Sequence, residues 1–445
     1  MRPAPEPLED RTLLAFDLPA GFNDFSFNGF GLQTTHVGRS DTVGAGALQP
    51  DGKIVVAGSV DEGGGSQTIA LVRYLTNGHP DSGFGPAGAG FVELSAGSTI
   101  HQVDAIVVDE NQGSSYEGDI VVAGSWTDAA NQDELALARF KPDGSLDTGF
   151  GAAGIVLDSS EPNSTGLALS IQPDDKIVVL GASNWPSSSA IPFVERFNPD
   201  GMPDSSFGSG SQPVLPFGNV PVALNGGLAL DAGGHIVVAG IENASSSSAT
   251  IVVAGLESDG QPALRFGPAG IATTPVQGDQ LPINVAGLAV NPSGRIVVAG
   301  TAGFYNSSTS SGSPTATSFW VARFDVSGEL DPTFNGGSLK FVDLQQNGFF
   351  QSSAASGIAL APDGKVVLAG NTSSTSSSDE QEDIALARLN ADGTLDESFG
   401  EGGETVPYIG PSVNAILPSL LVQPDGNIVT AFTYEIPNGV LTTSD

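Results

Sequence analysis

One phrase recurs seven times along the chain: a small apolar strand, a tight turn, and a second apolar strand that closes on small residues. The clearest copy, residues 357–370, reads GIALAPDGKVVLAG. The closing residues fall at positions 58, 124, 181, 240, 300, 370 and 431. The period is therefore about sixty residues, a length typical of propellers and other arrays whose units bury their apolar faces against their neighbours.

Each copy contains the pattern of four antiparallel strands. In the sixth copy the predicted segments are, in order, strand Ser356–Ala361, turn Pro362–Gly364, strand Lys365–Gly370, polar loop Asn371–Glu382, strand Asp383–Asn390 and strand Glu404–Tyr408. Four strands per copy predict an all-β fold, a seven-bladed β-propeller of four-stranded antiparallel blades. A parallel β-helix is the alternative, but its coils are usually shorter and lack such hairpin turns.

The two ends of the chain predict how the ring closes. The seventh copy has only its first two strands, and the pattern of the missing half stands near the N-terminus, where Leu13–Phe16 matches Ala385–Arg388 at the same spacing to later Gly, Asp and Phe residues. We predict that N-terminal strands complete the C-terminal blade, which removes exposed sheet edges. The domain prediction is an export-type segment at 1–11 and one propeller at 12–445. Its blades lie near 44–94, 103–158, 166–217, 226–274, 285–344, 355–408, and 417–433 with 12–36.

An arginine precedes an aspartate by eight positions in five copies. The pairs are Arg73 and Asp81, Arg139 and Asp147, Arg196 and Asp204, Arg323 and Asp331, and Arg388 and Asp396. The fourth copy has Gly255 and Ala263 instead, and this joint loss predicts that the two side chains meet. Five repeats of one pair favour a structural role over a catalytic one, because active-site tuning is normally built once. The Phe that follows each Asp is predicted to plug the core between blades.

The composition excludes several classes of function. The net charge is −35, with 15 basic and 50 acidic residues, which argues against nucleic acid and anionic membrane surfaces. No cysteine is present, no apolar stretch is long enough for a membrane helix, and the four histidines lack metal-ligand spacing. The Asp-Gly-x-x-Asp loops have too few preceding acids for calcium, so we interpret them as turns. We expect no catalytic residue, no metal, no cofactor and a monomer.

The loops between the second and third strands differ from copy to copy and are predicted to share one face. Three of them carry an aromatic residue beside amides or acids, namely Trp126, Trp185 and Tyr305. Function on repeat scaffolds concentrates where loops vary, so these three residues are the candidate ligand-binding set, suited to a sugar. The alternative is that they are aromatic lids over blade edges.

The repeated phrases resemble the delta-sixty repeat, a bacterial β-propeller family of unknown function found in large exported proteins. The resemblance rests on Pro50–Gly58 and on Arg139–Gly151, which matches Arg-Phe-x-x-Asp-Gly-x-Leu-Asp-x-x-Phe-Gly throughout. Separately, Leu8–Leu14 resembles the Leu-Glu-x-Arg-x-Leu-Leu element of some bacterial surface proteins. Together the two resemblances imply an extracellular or cell-surface bacterial protein, and the family brings no catalytic residues.

Three functions follow from the sequence. The first is a non-enzymatic surface propeller that binds a glycan or protein ligand through its variable-loop face. The second is a carbohydrate-active lyase or hydrolase, which would require an irregular cluster of His, Tyr, Arg and acids that the sequence lacks. The third is a structural spacer without a ligand.

Overall fold

The computed structural model describes residues 11–18, 27–29, 31–38, 40–63, 66–94, 100–127, 132–187, 189–210, 214, 216–217, 222–223, 227–242, 248–267, 269–305, 314, 316–346, 349–350, 352–373, 382–407 and 414–435. This part of the chain is all β, with single 3-10 turns at Pro86–Gly88 and Leu264–Phe266. None of its helical segments is long and apolar enough to cross a membrane. The predicted N-terminal segment lies outside the described residues, apart from Arg11.

The strands form antiparallel sheets that follow one another along the chain. The first two strands are β1 (Arg11–Leu18) and β2 (Leu32–Thr35). Sheet 1 comprises β3 (Ser40–Leu48), β4 (Ile54–Gly63), β5 (Ser66–Tyr74) and β6 (Phe91–Leu94). Sheet 2 comprises β7 (Ile100–Val108), β8 (Ile120–Thr127), β9 (Asp133–Phe140) and β10 (Ile155–Asp158). Sheet 3 comprises β11 (Thr165–Ile171), β12 (Ile177–Ser183) and β13 (Ile191–Phe197).

The second half of the chain continues the series. Sheet 4 comprises β14 (Leu228–Leu230), β15 (Ile236–Glu242), β16 (Ser248–Leu256) and β17 (Ile271–Gln277). Sheet 5 comprises β18 (Gln280–Pro282), β19 (Gly287–Val290), β20 (Ile296–Phe304), β21 (Ala316–Phe324) and β22 (Lys340–Val342), and a hairpin of β23 (Gln345–Gln346) and β24 (Phe349–Phe350) follows. Sheet 6 comprises β25 (Ser352–Leu360), β26 (Val366–Ser373), β27 (Glu382–Leu389) and β28 (Glu404–Thr405). Sheet 7 comprises β29 (Asn414–Val422) and β30 (Ile428–Glu435), joined by β1 and β2.

The protein is a propeller of four-stranded antiparallel blades, but the predicted count of seven such blades is wrong. Six sheets are complete blades, and sheet 3 has three strands among the described residues. In the place of its fourth strand a single bridge joins Val194 to Val214.

The ring closes through the two ends of the chain, as the sequence predicts. Strand β1 pairs with β30 along its whole length, from Arg11 opposite Glu435 to Leu18 opposite Ile428. The innermost strands contact one another in circular order, namely β3, β7, β11, β14, β19, β25, β29 and again β3. These strands surround a central channel.

The apolar cores lie between adjacent sheets, and the predicted phenylalanine plugs belong to them. Phe84 is fully buried among side chains of sheets 1 and 2, and Phe150 among those of sheets 2 and 3. The equivalent residues of the later interfaces are Phe207, Phe266, Phe334 and Phe399. Burial of these rings between sheets makes each interface a small hydrophobic core.

The predicted arginine–aspartate pairs are present and link the sheets. Nε of Arg73 donates to Oδ2 of Asp81 at 2.8 Å, and its Nη1 donates to the carbonyl of Pro142 in the next sheet. The guanidinium also lies 4.5 Å from the centre of the Phe84 ring. The same Nε to Oδ2 bond, at 2.8–2.9 Å, occurs in the other four pairs. The prediction that the two side chains meet is therefore confirmed.

The structure adds a second cation that the sequence analysis overlooked. Lys53, just after the first turn, lies 3.3 Å from Oδ2 of Asp81, and Lys176 and Lys365 approach Asp204 and Asp396 in the same way. Burial alone would raise the pKa of Asp81, but the Gly83 N–H and the positive charges of Arg73 and Lys53 outweigh it and lower that pKa.

Sheet 4 lacks the arginine–aspartate pair, and a phenylalanine ring takes the place of the arginine side chain there. A Cβ at Gly255, which occupies the arginine position, would lie 2.2 Å from Cδ2 of Phe266. The Phe266 ring thus occupies space that an arginine side chain takes in the other sheets. The loss of arginine and aspartate together leaves no buried charge without a partner.

Candidate functional site

Two cavities open along the central channel, one at each face of the ring. We call the face that carries the loops between second and third strands the loop face, and the opposite one the turn face. At the loop face the cavity has a volume of about 480 Å³ and is formed by the starts of the innermost strands. At the turn face a cavity of about 750 Å³ is formed by their ends.

The loop-face cavity is built around irregularities in the innermost strands. The pairing register of β3 shifts between Val43 and Ala45, and that of β7 shifts between Val103 and Ala105. Strands β11 and β25 shift at the corresponding places. The residues skipped by these shifts line the cavity, namely Gly44, Asp104, Leu167 and Ser356. A β-bulge redirects one side chain out of the regular ladder, so the irregular positions supply this part of the channel wall.

Asp104 is the charged member of that set. Its Oδ2 accepts a hydrogen bond of 2.8 Å from Oγ1 of Thr165 on the neighbouring sheet, and Gln102 donates to its Oδ1. Burial raises the pKa of Asp104, and the two hydrogen bonds only partly oppose that effect. The carboxyl group is thus held in position at the channel mouth.

Trp185 also lines the loop-face cavity, together with Gln67, Gln102, Thr42 and Ser59. Its side chain is half-buried and packs against the core between sheets 3 and 4. An aromatic ring and several amides and hydroxyls in one cavity wall offer both an apolar surface and hydrogen-bonding groups. Such a set can bind a sugar, whose ring has an apolar face and polar edges.

The other two predicted aromatics lie elsewhere. Trp126 is half-buried against the core between sheets 1 and 2, and Tyr305 against the core between sheets 4 and 5. Neither is among the residues that line either channel cavity. The structure therefore does not bring the three aromatics together in one cavity.

The sequence analysis missed Asp104 and Gln102. A signal for Asp104 was available, because the position just before the uniform apolar strand varies between copies: Gly44, Asp104, Leu167, Ala286 and Ser356. A position that varies within an otherwise constant repeat motif indicates a side chain that takes no part in the packing shared by all copies. The significance of Gln102, in contrast, follows only from the three-dimensional contact.

Metal-binding chemistry is not indicated in the part of the chain that the structure describes, where no three His, Asp or Glu side chains gather as a possible metal site. The Asp-Gly loops are turns with local hydrogen bonds, such as Gly144 N–H to Lys141 O at 2.9 Å. Lys53, Lys176 and Arg323 form ion pairs with Asp81, Asp204 and Asp331, which follow these loops.

Comparison with known proteins supports the fold. Residues 49–84, 118–150, 172–207 and 361–399 match the model of a domain of unknown function, DUF5122, described as a β-propeller. These segments cover less than half of the chain and indicate an uncharacterised β-propeller family. No curated protein matches the chain in sequence.

Several solved structures are similar in shape over most of their length. The polysaccharide lyase Uly1 has a TM-score of 0.45 and 11% identity, over 97% of this chain and 100% of the lyase. A PL25 ulvan lyase has a TM-score of 0.40 and 9% identity, over 89% and 94% of the two chains. A glucose dehydrogenase has a TM-score of 0.39 and 14% identity, over 75% and 95%. At such low values the likeness carries no argument about ligand or activity.

Proposed function

We propose that this propeller is a non-enzymatic binding protein that takes a saccharide in the loop-face cavity. The observation that supports the proposal is the chemistry of the cavity wall, which includes Trp185, Gln67, Gln102 and Asp104. The volume of about 480 Å³ lies within the range of small-molecule sites. An exported or cell-surface location belongs to the same proposal, because extracellular polysaccharide would then be within reach.

The residues that line the loop-face cavity favour binding over catalysis. Glycoside hydrolysis normally uses two carboxyl groups on either side of the scissile bond. Among the described residues that line the loop-face cavity, Asp104 is the one titratable group. A single carboxyl whose pKa is raised by burial can donate or accept a hydrogen bond, but it lacks the second carboxylate of a hydrolase.

The test is a glycan-array screen with the full chain, followed by calorimetric titration of each oligosaccharide that binds. Trp185→Ala is expected to weaken binding about tenfold or more, because it removes the aromatic surface. Trp126→Ala is the matched control, since Trp126 does not line the cavity, and it should leave the Kd unchanged.

Trp185 packs against a core, so the melting temperature of each variant must be measured as well. Asp104→Asn keeps the shape of the side chain and is expected to change the Kd without changing the fold. Absence of binding by the folded wild type, or equal losses for Trp185→Ala and Trp126→Ala, would refute the proposed site. Release of unsaturated or reducing ends from a bound polysaccharide would show an enzyme instead.

A further inference from the structure

The wall of the loop-face cavity holds no positive charge. Among the described residues that line it there is no lysine, arginine or histidine, and the one titratable group is the carboxyl of Asp104. The remaining polar side chains are amides and hydroxyls, namely those of Gln67, Gln102, Thr42, Ser59 and Ser356. Such groups can bind the hydroxyls of a sugar, but none of them supplies the counter-charge that a ligand carboxylate or sulfate requires.

The loops of the same face add negative charge and no positive charge. The six loops between second and third strands, at 59–68, 125–134, 182–190, 241–249, 301–317 and 371–382, contain no lysine, arginine or histidine. Four of them contain acidic residues, namely Asp61, Glu62, Asp128, Asp133, Glu134, Glu242, Asp379, Glu380 and Glu382. An anionic ligand that approaches this face therefore meets side chains of its own sign.

The cations of the chain gather at the opposite, turn face. The arginine of each Arg–Asp pair is the last but one residue of its strand, and Lys53, Lys176 and Lys365 directly precede a second strand. Those lysines form ion pairs with aspartates there. Among the described residues Arg11 and Lys340 lie elsewhere, and Arg11 stands opposite Glu435 in the ladder. With a net charge of −35, the potential at the loop face is negative.

The carboxyl group of Asp104 is fixed in the cavity wall. The Thr165 hydroxyl donates to its Oδ2 at 2.8 Å, and the Gln102 amide donates to its Oδ1. Both bonds favour the ionised form and oppose the rise in the pKa of Asp104 that burial causes. An anionic group beside this carboxylate would lose its hydration and gain no cation in exchange, so the site penalises it twice.

We propose that the loop-face cavity selects uncharged saccharides over those that carry carboxylate or sulfate groups, and that Asp104 is the specificity-determining residue. This selectivity rests on the saccharide site proposed above and adds the class of its ligand. An uncharged sugar donates its hydroxyls to Asp104 and to the amides of the wall. An acidic sugar is rejected by repulsion, which is a common way in which a binding site discriminates between related ligands.

The test is calorimetric titration of the full chain with matched pairs of tetrasaccharides. Each pair has the same linkage and differs only in a hydroxymethyl or a carboxylate group: glucose and glucuronic acid, mannose and mannuronic acid, and galactose and galacturonic acid. At low ionic strength we expect the neutral member of a pair to bind at least about tenfold more tightly than the acidic member. Added salt should narrow the difference, because it screens the repulsion. The array screen should likewise return uncharged saccharides.

Three variants locate the origin of the selectivity. Asp104→Asn removes the charge and should reduce the ratio of the two Kd values about threefold or more. Thr42→Lys places an ammonium group at an exposed position of the wall and should tighten binding of the acidic member without endangering the fold. Glu401→Gln removes an exposed carboxylate outside the cavity and should leave the ratio unchanged.

The outcomes separate the selectivity from the site itself. Acidic members that bind as tightly as their neutral partners, or an array whose hits are all uronic or sulfated, would overturn the selectivity and leave a saccharide site standing. An unchanged ratio in Asp104→Asn, or an equal change in Glu401→Gln, would show that Asp104 does not determine it. Absence of binding by every saccharide would refute the site together with its selectivity.

Discussion

The ring of Phe84 in sheet 1 lies directly against the α-carbon of Gly144 in sheet 2. A methyl group on Gly144 would stand 2.9 Å from two carbons of that ring, and the residue has a φ of +87°. The same relation joins Phe150 to Gly201, Phe207 to Gly260, Phe266 to Gly328 and Phe334 to Gly393. The glycine of the repeated turn therefore serves two purposes, since it adopts a left-handed backbone and it makes room for the plug of the preceding sheet.

Gly144→Ala is expected to lower the free energy of unfolding by about 2–4 kcal/mol, because a left-handed φ and overpacking both oppose the methyl group. Gly113→Ala separates the two effects. Gly113 has a φ of +80° but no atom within 4 Å of its would-be Cβ, so only the backbone cost of about 1–2 kcal/mol should remain. Chemical denaturation measures both values. Equal losses in the two variants would show that the Phe84 contact contributes nothing.

The pair Arg73 and Asp81 is expected to behave as one unit. Both residues are largely buried. Replacing Asp81 by alanine leaves Arg73 without its carboxylate, and replacing Arg73 leaves Asp81 with Lys53 as its remaining cation. Each change should cost about 3 kcal/mol. Replacing both should cost less than the sum of the single losses, by at least about 1 kcal/mol. A double-mutant cycle measures this coupling, and additive losses would contradict a direct interaction between the two side chains.

Glu195 is expected to make stability depend on pH. It is 8% exposed, and burial, followed by the charges of Asp158 and Glu161, raises its pKa from an ordinary 4.5 to about 8. Between these values the folded chain keeps a proton that the unfolded chain has lost, so stability falls as pH rises through this window.

Glu195→Gln cannot lose that proton. It should match the wild type at about pH 5 and exceed its melting temperature by about 2 °C at about pH 9. Thermal unfolding at the two pH values measures the difference, with Glu401→Gln as an exposed control. A gain of the same size at both pH values would show that the titration of Glu195 is not its cause.

Removing β1 should open sheet 7. A chain lacking residues 1–18 loses the strand that pairs with Ile428–Glu435, whereas a chain lacking only residues 1–10 keeps it. We expect amide-exchange protection at 428–435 to fall about a hundredfold in the longer deletion, because that strand becomes an edge. Protection retained after the longer deletion would mean that the end pairing does not stabilise this sheet.

Much of the architecture was predictable, because packing between repeats imposes the same residues on each copy. The turns, the phenylalanine plugs and the arginine–aspartate pairs all recur at fixed spacing for that reason. Sheet 3 was harder, since its copy carries the same arginine, aspartate and phenylalanine as complete blades do, at Arg196, Asp204 and Phe207.

The candidate site was less accessible to prediction. Trp185 was named from the sequence, but its separation from Trp126 and Tyr305 depends on where each loop folds over the sheets. Asp104 reaches the cavity through a register shift in β7, and such a shift reflects pairing between strands rather than the composition of either strand. Repetition thus predicts the scaffold, and the departures from repetition supply the site.

The most direct test of the account is a crystal structure of the protein in complex with an oligosaccharide identified by the array. We predict a sugar ring stacked on Trp185 in the loop-face cavity, with a hydroxyl about 3 Å from the carboxyl group of Asp104. A saccharide bound at another place on the ring, with this cavity unchanged, would contradict it.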